Sequence, residues 1–142
     1  MKLPDVNLLI YAADDGSPDH LTARRWLETE LSGTGTFAFT WVVLLAFVRL
    51  TTSRRVFERP FSVGDALDVV DGWLGQPSVT VIGPTERHAA VLRELLVPVG
   101  SGGNLTTDAH LAAVAIEHGA VLCSADRDFA RFSGLKWVNP LV

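Results

Sequence analysis

Short apolar runs of strand length alternate along the chain with longer segments whose apolar residues recur at helical spacing. Leu3 to Tyr11 begins extended and turns into a helix near Val6. Ser17-Pro18-Asp19 reads as an N-cap, a proline at the first helical position and an acid near the dipole. The helix it opens is predicted to run to about Glu30, with His20, Ala23, Trp26, Leu27 and Leu31 on one face, and Gly33-Thr34-Gly35 ends it. Thr36 to Thr40 is a second strand. Trp41 to Thr52 is a continuous apolar run that fits a buried strand or a buried helix, and its length and Arg49 near its end favour helix. Arg54 to Pro60 is a basic loop. Ser62 caps a helix to about Leu74, Ser78 to Ile82 is a β-branched strand, and Thr85 caps the next helix. After the Gly100 to Asn104 loop, a helix from Thr106 or Thr107 runs through His118 to Gly119. Ala120 to Ser124, a short turn or helix over Asp126 to Phe132, and a strand over Leu135 to Val138 complete the order.

Strands separated by helices require right-handed crossovers and a mostly parallel sheet covered on both faces. The expected fold class is α/β, a three-layer α/β/α sandwich. The chain has 142 residues, which suits one domain over 1–142. Its single cysteine, Cys123, excludes an internal disulfide and favours a reducing, cytoplasmic setting. The opening residues do not form a signal peptide, and the longest apolar stretch is far below the roughly 20 residues that span a bilayer. No membrane association is expected.

Charge changes the picture in one respect. Sixteen carboxylates oppose twelve bases, for a net charge of −4. Binding nucleic acid by bulk electrostatics alone is therefore disfavoured. A nucleic-acid enzyme is not, because carboxylates gathered around a divalent cation make the count negative while the cation reverses the local field. Ten of the twelve bases are arginine, whose planar fork suits phosphate or carboxylate.

In such folds ligands bind beyond the carboxyl ends of the strands. Asp5 closes the first strand, Asp108 lies in the first turn of a helix, and Asp126 and Asp128 follow the fourth strand. Each alone has an ordinary structural role, as a cap, a dipole complement or an Asx-turn. Four on one rim would repel one another unless a cation joined them. Oxygen ligands without a Cys or His pair suit Mg²⁺, with Mn²⁺ as a substitute, rather than zinc. Such a site can polarise a phosphoryl oxygen and generate a hydroxide for in-line attack on a phosphodiester.

Three segments carry a resemblance: Leu3-Pro4-Asp5-Val6-Asn7-Leu8-Leu9-Ile10-Tyr11-Ala12, Gly103-Asn104-Leu105-Thr106-Thr107-Asp108-Ala109-His110-Leu111-Ala112-Ala113, and Ser124-Ala125-Asp126-Arg127-Asp128-Phe129. In this order and spacing they resemble a PIN domain, in particular the VapC-type toxins of bacterial toxin–antitoxin pairs and most closely an actinobacterial branch. The likeness extends to Leu135-Lys136-Trp137-Val138-Asn139-Pro140. It implies a Mg²⁺-dependent endoribonuclease that cleaves RNA until a cognate VapB-type antitoxin blocks its site, and a homodimer. Carried over by position, Asp5, Asp108 and Asp126 are the metal-binding acids, and Asp128 assists in catalysis. Thr107 and Ser124 orient these carboxylates or contact phosphate. Arg127, or Arg54 and Arg55, hold the RNA strand. Asn7 and Asn104 fix neighbouring groups.

One position departs from the family pattern. Many PIN nucleases carry a glutamate on the helix after the second strand, and Phe47 stands about there, read as a subfamily variation. The departure motivates an alternative, a catalytically weak PIN domain that binds RNA or antitoxin. Gly100 to Gly103 lacks the following Gly-Lys-Ser/Thr of a phosphate loop. A phospho-receiver domain is excluded by Gly83-Pro84 and Asn139-Pro140, where an aspartate and a lysine are needed. His20, His88, His110 and His118 share no ligand spacing, and Trp26, Trp41, Trp73 and Trp137 are expected in the core.

Overall fold

A computed structural model describes residues 1–142. The elements follow as β1 (Lys2–Pro4), α1 (Val6–Ala13), α2 (His20–Ser32), β2 (Phe37–Phe39), α3 (Trp41–Thr51), α4 (Val63–Leu74), β3 (Val79–Val81), α5 (His88–Val99), α6 (Leu105–Glu117), β4 (Val121–Cys123), a 3₁₀ turn (Arg127–Arg131) and β5 (Trp137–Val138). The five strands form one sheet in the order β3-β2-β1-β4-β5, and every pairing is parallel. The chain steps outward from β1 to β2 to β3, then crosses back over both strands to β4. Right-handed crossovers in opposite directions put α1 to α4 on one face and α5 and α6 on the other. The contacts agree, since α1 packs on α2 and α3, α3 on α4, and α5 on α6. This is the three-layer α/β/α sandwich, and all its strands end on one rim.

Local chemistry fixes the element ends. Asp5 caps α1 by accepting the Val6 N–H on Oδ1 at 2.8 Å, and Ser62 Oγ accepts the Asp65 N–H at 3.0 Å to cap α4. Gly100 closes α5 in the left-handed region at φ +79°, where a β-carbon would be strained. Some starts differ from expectation. Ser17 Oγ accepts the Asp19 N–H in a turn, so α2 opens only at His20. Thr85 accepts the Arg87 N–H, but its hydroxyl is also committed to Glu117, and α5 opens at His88. α6 opens at Leu105, one residue before the expected threonine.

The core is aromatic along β2. Phe39 stacks on Trp73 of α4 with ring centroids 5.5 Å apart, Phe37 meets Trp26 of α2 edge-on, and Phe47 lies on Trp73 at 4.8 Å. Leu3, Leu9, Leu44, Ala112 and Leu122 close the remaining space from both faces of the sheet. No helix is long and apolar enough to cross a membrane.

Candidate active site

Asp5 stands where β1 ends and α1 begins, and its carboxylate is held from both sides. Oδ1 accepts the Val6 N–H, while Oδ2 accepts the Ser124 hydroxyl at 2.8 Å and the Asn7 side-chain amide at 3.3 Å. Ser124 is fully buried at the end of β4. Its Oγ also accepts from Asn7 Nδ2 and from the Asp126 N–H, at 3.1 and 3.0 Å. The Trp137 indole N–H donates to the Ser124 carbonyl at 3.0 Å, which ties β5 to the same corner. Asp126 Oδ1 then accepts the Asp128 N–H at 2.9 Å and opens the 3₁₀ turn. The ends of β1, β4 and β5 and the turn after β4 thus form one hydrogen-bonded unit.

Asp108 joins this unit by charge. It is half-buried in the first turn of α6, and burial, followed by the negative charges of Asp5, Asp126 and Asp128, pushes its carboxyl up to about 6. Burial also pushes Asp5 up, and Asp126 adds to it, while the Ser124 hydroxyl and Val6 N–H partly restrain the rise. The only ion pair within the group is Asp128 to Arg131, at 3.5 Å and exposed. Asp5, Asp108 and Asp126 therefore share a field with no basic side chain to balance it. An oxygen-only donor set of this charge fits a hard divalent cation such as Mg²⁺. No three carboxylates or imidazoles stand close enough to enclose an ion by themselves. These acids would hold such a cation only together with water or a substrate oxygen.

The PIN domain family model matches residues 2–135. The chain belongs to the PIN-domain family. Among curated relatives, this PIN domain is 47% identical over 140 residues to Ribonuclease VapC37 of Mycobacterium tuberculosis, covering 99% of this chain and 97% of that protein. It is 41% identical over 141 residues to Ribonuclease VapC33 of the same organism, covering 99% of each. These matches agree with the actinobacterial VapC-type resemblance read from the three sequence segments. In structure it is similar to VapBC2 from Rickettsia felis bound to a DNA fragment from their promoter, with a TM-score of 0.71 at 18% identity over 97% of both chains. It is also similar to VapC20 of M. tuberculosis, described as a sarcin-ricin loop cleaving toxin, with a TM-score of 0.67 at 19% identity over 96% of this chain and 99% of that one.

The remaining sequence candidates fall in different places. Arg127 is exposed on the turn between Asp126 and Asp128, and Thr107 is exposed beside Asp108. Neither side chain bonds to an acid of the PIN site. Arg54 and Arg55 are exposed on the loop beyond the C-terminal end of α3. The N-terminal end of that helix adjoins Asp5, and its 11 residues put about 16 Å between the two ends. The structure does not bring these two arginines to the acids. Phe47 turns into the core against Trp73, so α3 offers no carboxylate from any position. Trp41 was expected in the core and is instead 52% exposed, at the first position of α3.

Sequence spacing missed a second polar cluster in the PIN domain, between α5 and α6. Glu117 is buried and accepts on Oε1 from the Thr85 N–H and hydroxyl, while its Oε2 lies 2.6 Å from His88 Nδ1. His88 Nε2 is in turn 2.9 Å from His110 Nδ1. His110 and Glu117 lie two turns apart on one face of α6, and that spacing was the available signal. A separate cavity of about 400 Å³, lined by Ile10, Asp14, His20, Arg24, Phe57 and Arg59, contains none of the four acids.

Proposed function

We propose that this PIN domain is a Mg²⁺-dependent endoribonuclease, with Mn²⁺ able to substitute, acting as the toxin of a toxin–antitoxin pair. Its VapC-named relatives support a ribonuclease of that kind. The observation that carries the metal-dependent chemistry is the uncompensated group of Asp5, Asp108 and Asp126 on the carboxyl rim of the sheet. These three would hold the cation. When bound, it supplies Lewis acidity toward a phosphoryl oxygen and lowers the pKa of water.

The protein's own residues supply placement. Ser124, Asn7 and the Val6 N–H fix the direction of the Asp5 carboxylate. Asp126 commits Oδ1 to the 3₁₀ turn and keeps Oδ2 for the attacking water, with Asp128 beside it. In-line displacement at phosphorus then leaves a 5′-phosphate and a 3′-hydroxyl. Arg127, projecting between Asp126 and Asp128, steadies the RNA backbone, and Thr107 contacts phosphate at the mouth. A cognate VapB-type antitoxin is the partner this charge invites. An arginine from it would pair with the carboxylates and compete with the cation, so the complex is expected to be silent. The homodimer implied by the family likeness belongs to the same proposal.

Cleavage of total cellular RNA by the partner-free protein tests this reading, with Mg²⁺, Mn²⁺ or EDTA and beside Asp108→Ala. Discrete fragments that vanish with EDTA and in the variant are expected. One observation favours a second reading, a weakly catalytic module that binds RNA or antitoxin: α3 contributes no carboxylate. Intact RNA from a folded protein, with cation binding unchanged in Asp5→Asn, would select it.

A further inference from the structure

Thr40 is 2% exposed, and its hydroxyl is the one buried side-chain polar atom of the chain without a hydrogen-bond partner. A buried, unpaired hydroxyl destabilises a fold and calls for an explanation. Its place is informative. The β1–β2 register sets Lys2 opposite Phe37, and continuing it along both extended backbones sets Asp5 opposite Thr40. The β1–β4 register sets Pro4 opposite Cys123, and its continuation sets Asp5 opposite Ser124. Residues in register on neighbouring strands share a face. Thr40, Asp5 and Ser124 therefore form one row across three strand ends, with Asp5 in the middle. The Ser124 hydroxyl is spent on Asp5 Oδ2, and the Thr40 hydroxyl is unspent. Thr40 is also the N-cap residue of α3, yet its side chain caps nothing, although capping is the usual use of a threonine there.

We propose that Thr40 is a positioning residue of the acidic site, whose hydroxyl donates to an oxygen atom seated against Asp5 when the site is loaded. That oxygen belongs either to the RNA phosphate or to water held by the cation. The inference rests on the proposed nuclease reading and goes beyond it by placing a hydroxyl on the β2 side of Asp5, opposite Ser124.

The test compares Thr40→Val, which keeps the shape and removes the hydroxyl, with Thr40→Ser, which keeps the hydroxyl and removes the methyl. Three quantities are measured on the full chain: melting temperature, Mn²⁺ affinity by calorimetry, and affinity in EDTA for a short mixed-sequence single-stranded RNA. Thr40→Val should melt no lower than the wild type while losing roughly three- to tenfold in one of the two affinities, and Thr40→Ser should retain both. A loss confined to Mn²⁺ assigns the oxygen to the cation's water, and a loss confined to RNA assigns it to phosphate. Wild-type affinities in Thr40→Val, or a loss in Thr40→Ser alone, would overturn the proposal and leave the nuclease reading standing. A wild type that binds neither Mn²⁺ nor RNA would overturn both.

Discussion

The Ser124 hydroxyl donates to Oδ2 of Asp5 at 2.8 Å, joining two strand ends that lie 119 residues apart in sequence. The same oxygen of Ser124 accepts from Asn7 and from the Asp126 amide. One buried serine therefore sets the position of two acids. Ser124→Ala removes all of these bonds while filling nearly the same space. Groups that orient metal ligands typically account for 10- to 100-fold in affinity or activity. The variant is expected to remain folded and to lose about tenfold in Mn²⁺ affinity, measured by calorimetry. An unchanged affinity would show that Asp5 does not depend on Ser124 for its orientation.

Asp108 gives the site a cost that can be read as stability. Its carboxyl is raised from 3.8 to about 6 by burial and by the neighbouring acids. A carboxyl whose folded pKa lies above its unfolded value destabilises the fold when ionised, and the penalty is relieved as pH falls through the folded pKa. In EDTA, stability should therefore rise as pH drops from about 6 towards 4. Asp108→Asn should remove that dependence and stabilise the protein at pH 7. The gain is on the order of 1 kcal/mol once solvent screening at a half-exposed group is allowed for. Urea unfolding across this pH range checks the sign, and the same variant should cleave no RNA.

Glu117 works in the opposite sense. Burial pushes its carboxyl up, but the hydrogen bonds from Thr85 and His88 outweigh burial and hold it below the ordinary value of 4.5. The stability it contributes is present above 4.5 and lost as pH falls through the lowered folded value. The metal-free protein should accordingly be most stable between the two windows, with acid loss following the gain from Asp108. Glu117→Ala leaves His88 and the Thr85 N–H without their partner and should cost about 2–3 kcal/mol. The far-UV signal against urea concentration measures this, and RNA cleavage at neutral pH should persist in the fraction that remains folded.

Much of this arrangement was legible in the chain because its signals are local. Asp5 and Ser62 follow from capping chemistry, and the helix over Trp41 to Thr51 follows from a run too long for these short strands. The acids on one rim followed from alternation of strand and helix, since every parallel strand ends on the same side. Thr40 and the His88–Glu117 contact were not legible. Both depend on which strands and helices become neighbours, and the crossing from β3 back to β4 has no local signature. Trp41 misled for a related reason. Periodicity marks an apolar residue for burial, but Trp41 opens α3 on its outward side, while Val43 and Leu44 of the same turn face the core.

The arginines separate in the same way. Arg127 projects from the turn that carries Asp126 and Asp128, whereas Arg54 and Arg55 stand at the other end of α3. Each phosphate neutralised on a single strand contributes about 0.7 to the slope of log affinity against log salt. Arg127→Ala should lower that slope by about one such contact and weaken binding of a short single-stranded RNA in EDTA. The Arg54→Ala, Arg55→Ala double variant should leave the slope unchanged for an RNA too short to reach beyond α3. Lengthening the RNA distinguishes a second contact from none. A slope that drops in the double variant only with longer strands would place the basic loop on the path of the flanking RNA. A drop with the short strand would bring Arg54 and Arg55 to the scissile phosphate, against the helix length that separates them from Asp5.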